Sequence, residues 1–149
     1  MHTHKWERRF LELAQLVSTW SKDPSTQVGA VLVGPDKRVL SVGFNGFPAS
    51  VPDEPEDYAE RATKYARIVH AEMNALLFAP PHLIRGSTLY TYPFGSCSRC
   101  AAMLVQAGVE EFVSPYCPPA LQERWQQELD TAHALIEDAG AAWFEISVP

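Results

Sequence analysis

The feature that most restricts how this chain can fold is a set of metal-binding side chains split between two distant stretches, His70-Ala71-Glu72 and Cys97-Ser98-Arg99-Cys100. One imidazole and two thiols make a tetrahedral nitrogen–sulfur donor set for zinc only if the fold brings both stretches together. Cys97 and Cys100 stand at i and i+3, so on a helix they face the same way. His70 then supplies the third donor from elsewhere in the fold. Glu72 is better placed as a proton carrier beside the metal's water than as a fourth ligand. A closed structural site would need another protein ligand, and Cys117 is the only cysteine left. A position kept open for water marks a catalytic zinc instead.

The bulk of the chain narrows the class. A length of 149 residues suits a single domain, 1–149, with one good core. Hydrophobic content of 46% and charged content of 20% are those of a soluble globular protein. A net charge of −6, with no basic stripe, argues against a nucleic-acid partner and for a small-molecule one. Three cysteines, two of them in the donor set, exclude a disulfide scaffold. No apolar run approaches the length of a membrane span, and Met1–Phe10 leads into no signal-peptide core, so a cytoplasmic protein is expected. His2 and His4 read as a frayed polar end.

Periodicity predicts the elements. Trp6, Phe10, Leu13, Val17 and Trp20 form a helical stripe over 5–20 that should face the core. Ser21-Lys22-Asp23-Pro24 stops it, because the residue before a proline avoids the helical region. Val28–Val33 and Val39–Phe44 read as strands joined into an antiparallel hairpin by the turn residues Gly34-Pro35-Asp36-Lys37. Residues 49–57, rich in acids and proline, predict an exposed loop, with a short helix over Tyr58–Ala66. Ala71–Phe78 predicts a helix that starts at His-x-Glu and is stopped by Pro80-Pro81. Thr88–Tyr92 is a strand, Cys97–Ala107 a helix closed by Gly108, and Val109–Ser114 holds a short strand. Leu121, Trp125, Leu129, Ala132 and Ile136 form a last helical stripe, ended by Gly140. A final strand follows, in which Ala142, Phe144, Ile146 and Val148 alternate. His82 and His133 fall outside every motif and read as surface or satisfied core residues. Helix crossovers after a hairpin imply an α/β fold with a mixed sheet covered on both faces.

Zinc deaminases of nucleobases carry His-x-Glu followed by Pro-Cys-x-x-Cys. Further motifs stand beside these two: Ser-Lys-Asp-Pro-Ser-Thr-Gln-Val-Gly-Ala at 21–30, Gly-Phe-Asn-Gly-Phe-Pro at 43–48, Lys64-Tyr65, His-Ala-Glu-Met-Asn-Ala at 70–75 and Gln106-Ala107-Gly108. Together they resemble the deoxycytidylate (dCMP) deaminase family over most of the chain, from Trp6 to Ser114. The resemblance implies a three-layer α/β/α cytidine deaminase-like fold around a five-stranded mixed sheet. It implies hydrolysis of dCMP to dUMP and ammonia, with a catalytic Zn2+ held by His70, Cys97 and Cys100 and with Glu72 shuttling protons. Asn45 would bond the sugar or base, and the loop holding Ser21, Lys22, Thr26 and Val28 would line the nucleotide pocket. Ala71 joins these contacts from within the His-x-Glu motif. Phe94 is a candidate wall for the base, and Lys22 and Arg99 are candidates for a monophosphate, with Lys64 and Tyr65 as further contributors. A homo-oligomer, commonly a hexamer, and control by dCTP and dTTP are also implied. The family often carries a second, structural zinc with ligands in the loop after the second strand. Residues 49–57 hold no cysteine or histidine, so one zinc per chain is expected.

One departure stands out. Where the family reads Phe-Pro-Cys-x-x-Cys, this chain reads Phe94-Gly95-Ser96-Cys97-Ser98-Arg99-Cys100. Ser96 can act as the helix N-cap and Gly95 adds backbone freedom, so the lost proline bears on pocket shape more than on metal binding. The starts of the helices after His70 and Cys97 would both point at the site, where their partial positive charge favours thiolates. Two other readings remain. One is deamination of another substrate: 5-modified dCMP, cytidine or deoxycytidine, guanine, or adenosine in tRNA, the last disfavoured by the acidic balance. The other is a non-catalytic zinc-binding regulatory subunit, which would leave Glu72 idle.

Overall fold

In the computed structural model, which describes residues 4–148, strand β1 (Gly29–Val33) is buried along its whole length. His2 lies outside the described residues. A short, unbroken apolar run such as Gly-Ala-Val-Leu-Val is stable in a sheet only if both faces are covered. The sheet has five strands in the order β2-β1-β3-β4-β5, with β2 at Val39–Phe44, β3 at Thr88–Tyr92, β4 at Glu111–Pro115 and β5 at Ala142–Ile146. β1 pairs antiparallel with β2, Val31 opposite Val42, and antiparallel with β3, Val31 opposite Tyr90. The β3–β4 and β4–β5 pairs are parallel, each bridged by a helix. The expected mixed sheet is therefore present.

Alternate residues of β1 serve the two faces. Val31 and Val33 pack with Tyr90, Val113 and Ile146 against Phe10, Leu11 and Ala14 of helix α1 (Lys5–Ser18). Ala30 and Leu32 pack on the other face in the larger core, with Ala71 and Ala75 of α4 (Ala71–Phe78), Leu104 of α5 (Ser98–Ala107) and Ile136 of α6 (Pro119–Asp138). The result is three layers. Glycines set how closely the helices approach. A Cβ at Gly29 would stand 2.0 Å from the Ala14 carbonyl oxygen of α1, and one at Gly43 would stand 2.3 Å from the Ala71 carbonyl oxygen of α4. Among the described residues no helix is long and apolar enough to cross a membrane.

Three sequence expectations need correcting. Phe10 and Val17 of the α1 stripe are buried as expected and Leu13 is half-buried, but Leu11, Ala14 and Ser18 are buried beside them, while Trp6 and Trp20 are exposed. Close approach at Gly29 selects the small residues of the helix for the contact, and the tryptophans fall past the sheet. The helix expected over Tyr58–Ala66 is two, α2 (Pro55–Ala59) and α3 (Arg61–Arg67), so α2 also cuts into the expected loop. They part at Glu60, which is extended and whose carboxylate accepts from the Thr63 N–H at 2.7 Å and from the Thr63 hydroxyl. The α6 stripe also divides. Leu129, Ala132 and Ile136 are buried, whereas Leu121 and Trp125 are half-buried and pack toward Phe94 and Cys117.

Candidate active site and metal centre

Local pairing delivers the first donor. Gly46 and Val69 exchange both backbone hydrogen bonds, at 3.1 and 2.8 Å, which ties the segment entering His70 to the segment leaving Asn45. His70 is the N-cap of α4. The Asn74 amide then donates to the Phe44 carbonyl at 2.8 Å, and the Ser41 hydroxyl donates to the Ala75 carbonyl at 2.5 Å, so α4 is fastened along β2. Cys97 is the N-cap of α5, and Cys100 lies in its first turn.

These helix starts converge. His70 Nδ1 lies 3.5 Å from Cys97 Sγ and 3.3 Å from Cys100 Sγ. One ligand atom from each of His70, Glu72, Cys97 and Cys100 falls within 4.8 Å of the others. Zinc bonds of about 2.3 Å to sulfur and about 2.0 Å to nitrogen put tetrahedral donors roughly 3.6 Å apart. The imidazole and the two thiols fit a zinc ion on that test. The Cys97 thiol is held well below the usual range, first by the hydrogen bond from the Cys100 thiol and, against burial, by His70. Cys100 is pushed up by the same hydrogen bond and by burial. Its bond to Cys97 raises the pKa of His70. Glu72 is 4% exposed, and burial raises its carboxyl above the ordinary range.

Ser96 is not the α5 cap. The extended Cys97 takes that position, one residue later, and its side chain makes no capping bond. The Ser96 hydroxyl is buried with no partner among the described residues. The Ser98 N–H instead donates to Glu128 Oε1 of α6 at 2.8 Å, and the Ser98 hydroxyl donates to the same oxygen at 2.5 Å.

The donors open into a cleft. Thr26, Val28, Asn45, Ala71, Glu72 and Phe94 line it as expected from sequence. Ser21, Lys22 and Arg99 are not among its lining residues. The Ser21 hydroxyl is turned to the Asn45 carbonyl at 2.8 Å, and the exposed Lys22 ammonium pairs with Asp53 at 3.1 Å. The loop turns at Asp23, whose buried carboxylate accepts from Lys64 at 2.9 Å, the Ser25 N–H at 2.8 Å and the Asn45 amide at 3.2 Å. Asn45 Oδ1 accepts from the Val28 N–H at 2.9 Å, and its amide also donates to the Thr26 carbonyl at 2.9 Å.

Asp23 and Ser25, within the expected Ser21–Val28 loop, also line the cleft, as do Arg124, Trp125 and Glu128, which sequence reasoning missed. Phe94 and Trp125 stack with ring centres 5.4 Å apart, and the Arg124 guanidinium lies 5.0 Å from the Trp125 ring. A cation next to the aromatic at the front of a helical stripe was the available signal for Arg124.

Comparison with known proteins agrees with this geometry. Residues 4–115 match the cytidine and deoxycytidylate deaminase zinc-binding region. An "uncharacterized deaminase in luxG 3'region" of Aliivibrio fischeri is 40% identical over 149 residues, covering 97% of each chain. A probable deoxycytidylate deaminase of Caenorhabditis elegans is 41% identical over 115 residues, covering 72% of this chain and 55% of that protein. This chain thus spans about half the length of that relative. The apo crystal structure of a dCMP deaminase from cyanophage S-TIM5 shares the fold, with a TM-score of 0.74 and 22% identity over 98% of this chain and 100% of that one.

Proposed function

Because the chain belongs to the cytidine and deoxycytidylate deaminase family, we propose that it hydrolyses dCMP to dUMP and ammonia, with zinc bound by His70, Cys97 and Cys100. One observation carries the reading: the buried Glu72 carboxyl stands within 4.8 Å of that donor set, in the wall of the cleft that Thr26, Val28, Asn45 and Phe94 also line. A zinc bound there supplies the Lewis acidity that makes water nucleophilic near neutral pH. Glu72 accepts a proton from the attacking water and delivers it to the ring nitrogen next to the reacting carbon; it then takes the second proton of that water, now the hydroxyl on the reacting carbon, and passes it to the amine, which leaves as ammonia. Water and dCMP thus become dUMP and ammonia, and Glu72 returns to its starting state. General acid–base help of this kind is worth about 10²–10⁴ in rate.

The walls suit a pyrimidine nucleotide. Phe94, stacked on Trp125, and Val28 offer the base an apolar slot. Asn45 holds the loop through the Val28 N–H, and its Oδ1 keeps a second lone pair for a sugar hydroxyl. Lys64 is committed to Asp23 at 2.9 Å. Arg124, with no carboxylate partner among the described residues, is the cation at the cleft for the monophosphate. The same reading has the protein as a cytoplasmic homo-oligomer, in keeping with Leu77 and Phe78 of α4 standing 70% and 79% exposed.

The test is ammonia release from dCMP, CMP, deoxycytidine, guanine and 5-substituted dCMP, side by side, with and without dCTP and dTTP. dCMP turned over fastest is the expected result. An inert dCMP beside an active alternative overturns the substrate, and no turnover of any of them by zinc-loaded protein overturns the reaction.

A further inference from the structure

The Cys97–Cys100 turn has an unusual mechanical problem. An N-cap side chain normally accepts a hydrogen bond from an early N–H of its helix. Cys97 occupies that position in α5, and its sulfur is turned to His70 and Cys100. A side chain that serves as a metal donor is not free to cap. Ser96, one residue earlier, leaves its hydroxyl without a partner among the described residues. The first N–H of α5 is satisfied from another helix, by Glu128, thirty residues on in the chain. The carboxylate takes both the N–H and the hydroxyl of Ser98 on one oxygen. Ser98 is covalently next to Cys97 and within the same turn as Cys100. A carboxylate at a helix N-terminus is also favoured by the helix dipole. Glu128 lies on α6, beyond the region 4–115 that matches the family.

We propose that Glu128 is a positioning residue for the metal centre: by gripping Ser98 from α6, it orients the Cys97–Cys100 turn toward His70. The proposal rests on the zinc reading above and deepens it. Partners that hold metal ligands in place typically govern affinity or activity by about 10–100-fold. Glu128 also lines the cleft, so a direct contact with substrate is the rival role.

The experiment measures zinc affinity by chelator competition, the thiolate-to-cobalt charge-transfer band of the cobalt-substituted protein, and kcat and KM for dCMP. It compares wild type with Glu128→Ala, Glu128→Gln, Ser98→Ala and the Glu128→Ala/Ser98→Ala double variant. Glu128→Ala is expected to weaken zinc by about 10–100-fold and to shift the cobalt band. Glu128→Gln, which keeps an acceptor oxygen, restores most of both. Ser98→Ala, which loses only the hydroxyl bond, moves both less in the same direction, and the double variant falls no further than Glu128→Ala alone. Should Glu128→Ala fail to fold, Glu128→Gln and Ser98→Ala carry the same comparison. Unchanged zinc affinity and cobalt band with a raised KM would overturn the proposal in favour of substrate contact. A loss of thermal stability with the metal readouts unmoved would overturn it in favour of a purely structural cap. A wild type that binds no zinc defeats the functional reading itself, which separates the two failures.

Discussion

Arg124 lines the cleft beside the stacked pair Phe94 and Trp125, and the proposed function gives it the substrate's phosphate. A hydrogen bond to a charged group is worth about 1.5–3 kcal/mol. Arg124→Ala should therefore raise KM for dCMP by roughly tenfold or more while leaving deoxycytidine kinetics nearly unmoved. Equal losses on the nucleotide and the nucleoside would remove it from phosphate binding. His133 carries a different prediction. Its ring lies flat on Trp143, centres 3.6 Å apart, and burial lowers its pKa below the ordinary value against the pull of Asp130 and Glu137. The native state then takes up a proton less readily than the unfolded chain. The stabilising effect is whole above the ordinary histidine pKa of about 6.5 and is lost as the pH falls through it. The melting temperature should thus drop more between about pH 7.5 and about pH 5.5 in wild type than in His133→Phe, which keeps the stack and cannot titrate. Identical pH slopes for the two proteins would contradict this.

The helices on the two faces of the sheet can be told apart by their glycines. A Cβ at Gly43 meets the Ala71 carbonyl and stands 2.5 Å from the Ala75 N, in the helix that begins at His70 and carries Glu72. A Cβ at Gly29 meets the backbone of α1, on the opposite face. Overpacking costs about 1–3 kcal/mol in either case, so Gly43→Ala and Gly29→Ala should both lower thermal stability. Only Gly43→Ala displaces a metal donor, and only it should weaken zinc in a chelator competition. Equal weakening by the two would argue that α4 does not set the donor's position. The same elements show what a sequence discloses. β1, β2, α4 and the Gly108 cap were legible because their signals are local: an apolar run, turn residues, helix formers before Pro80, and a glycine after a helical run, which takes a φ of 110°. The donor set was legible because its spacing is covalent. The centring of α1 was not, since the choice between Trp6 and Ala14 depends on a glycine in another element. Nor were Arg124 and Glu128, whose meaning comes from approach across the fold. A helical stripe states that α6 packs on something, not that its first two turns wall a cleft.

At the scale of the whole molecule, the donors join α4 and α5, which meet on one face of the sheet, while α1 packs on the other. A ligand bound only by the folded state stabilises it by mass action. Stripping zinc with a chelator should therefore lower the melting temperature, and adding zinc back should restore it. An unmoved melting temperature would mean that the ion does not tie these helices together. The proposed function comes down to one arrangement, Glu72 as proton carrier beside a zinc ion in the wall of the cleft. Its most direct test is dUMP formation from dCMP by wild type and Glu72→Gln, with zinc content determined on the same samples. The account predicts one zinc per chain in both and turnover about 10²–10⁴ lower in the variant. Undiminished turnover in Glu72→Gln, or no dUMP from zinc-loaded wild type, would contradict it.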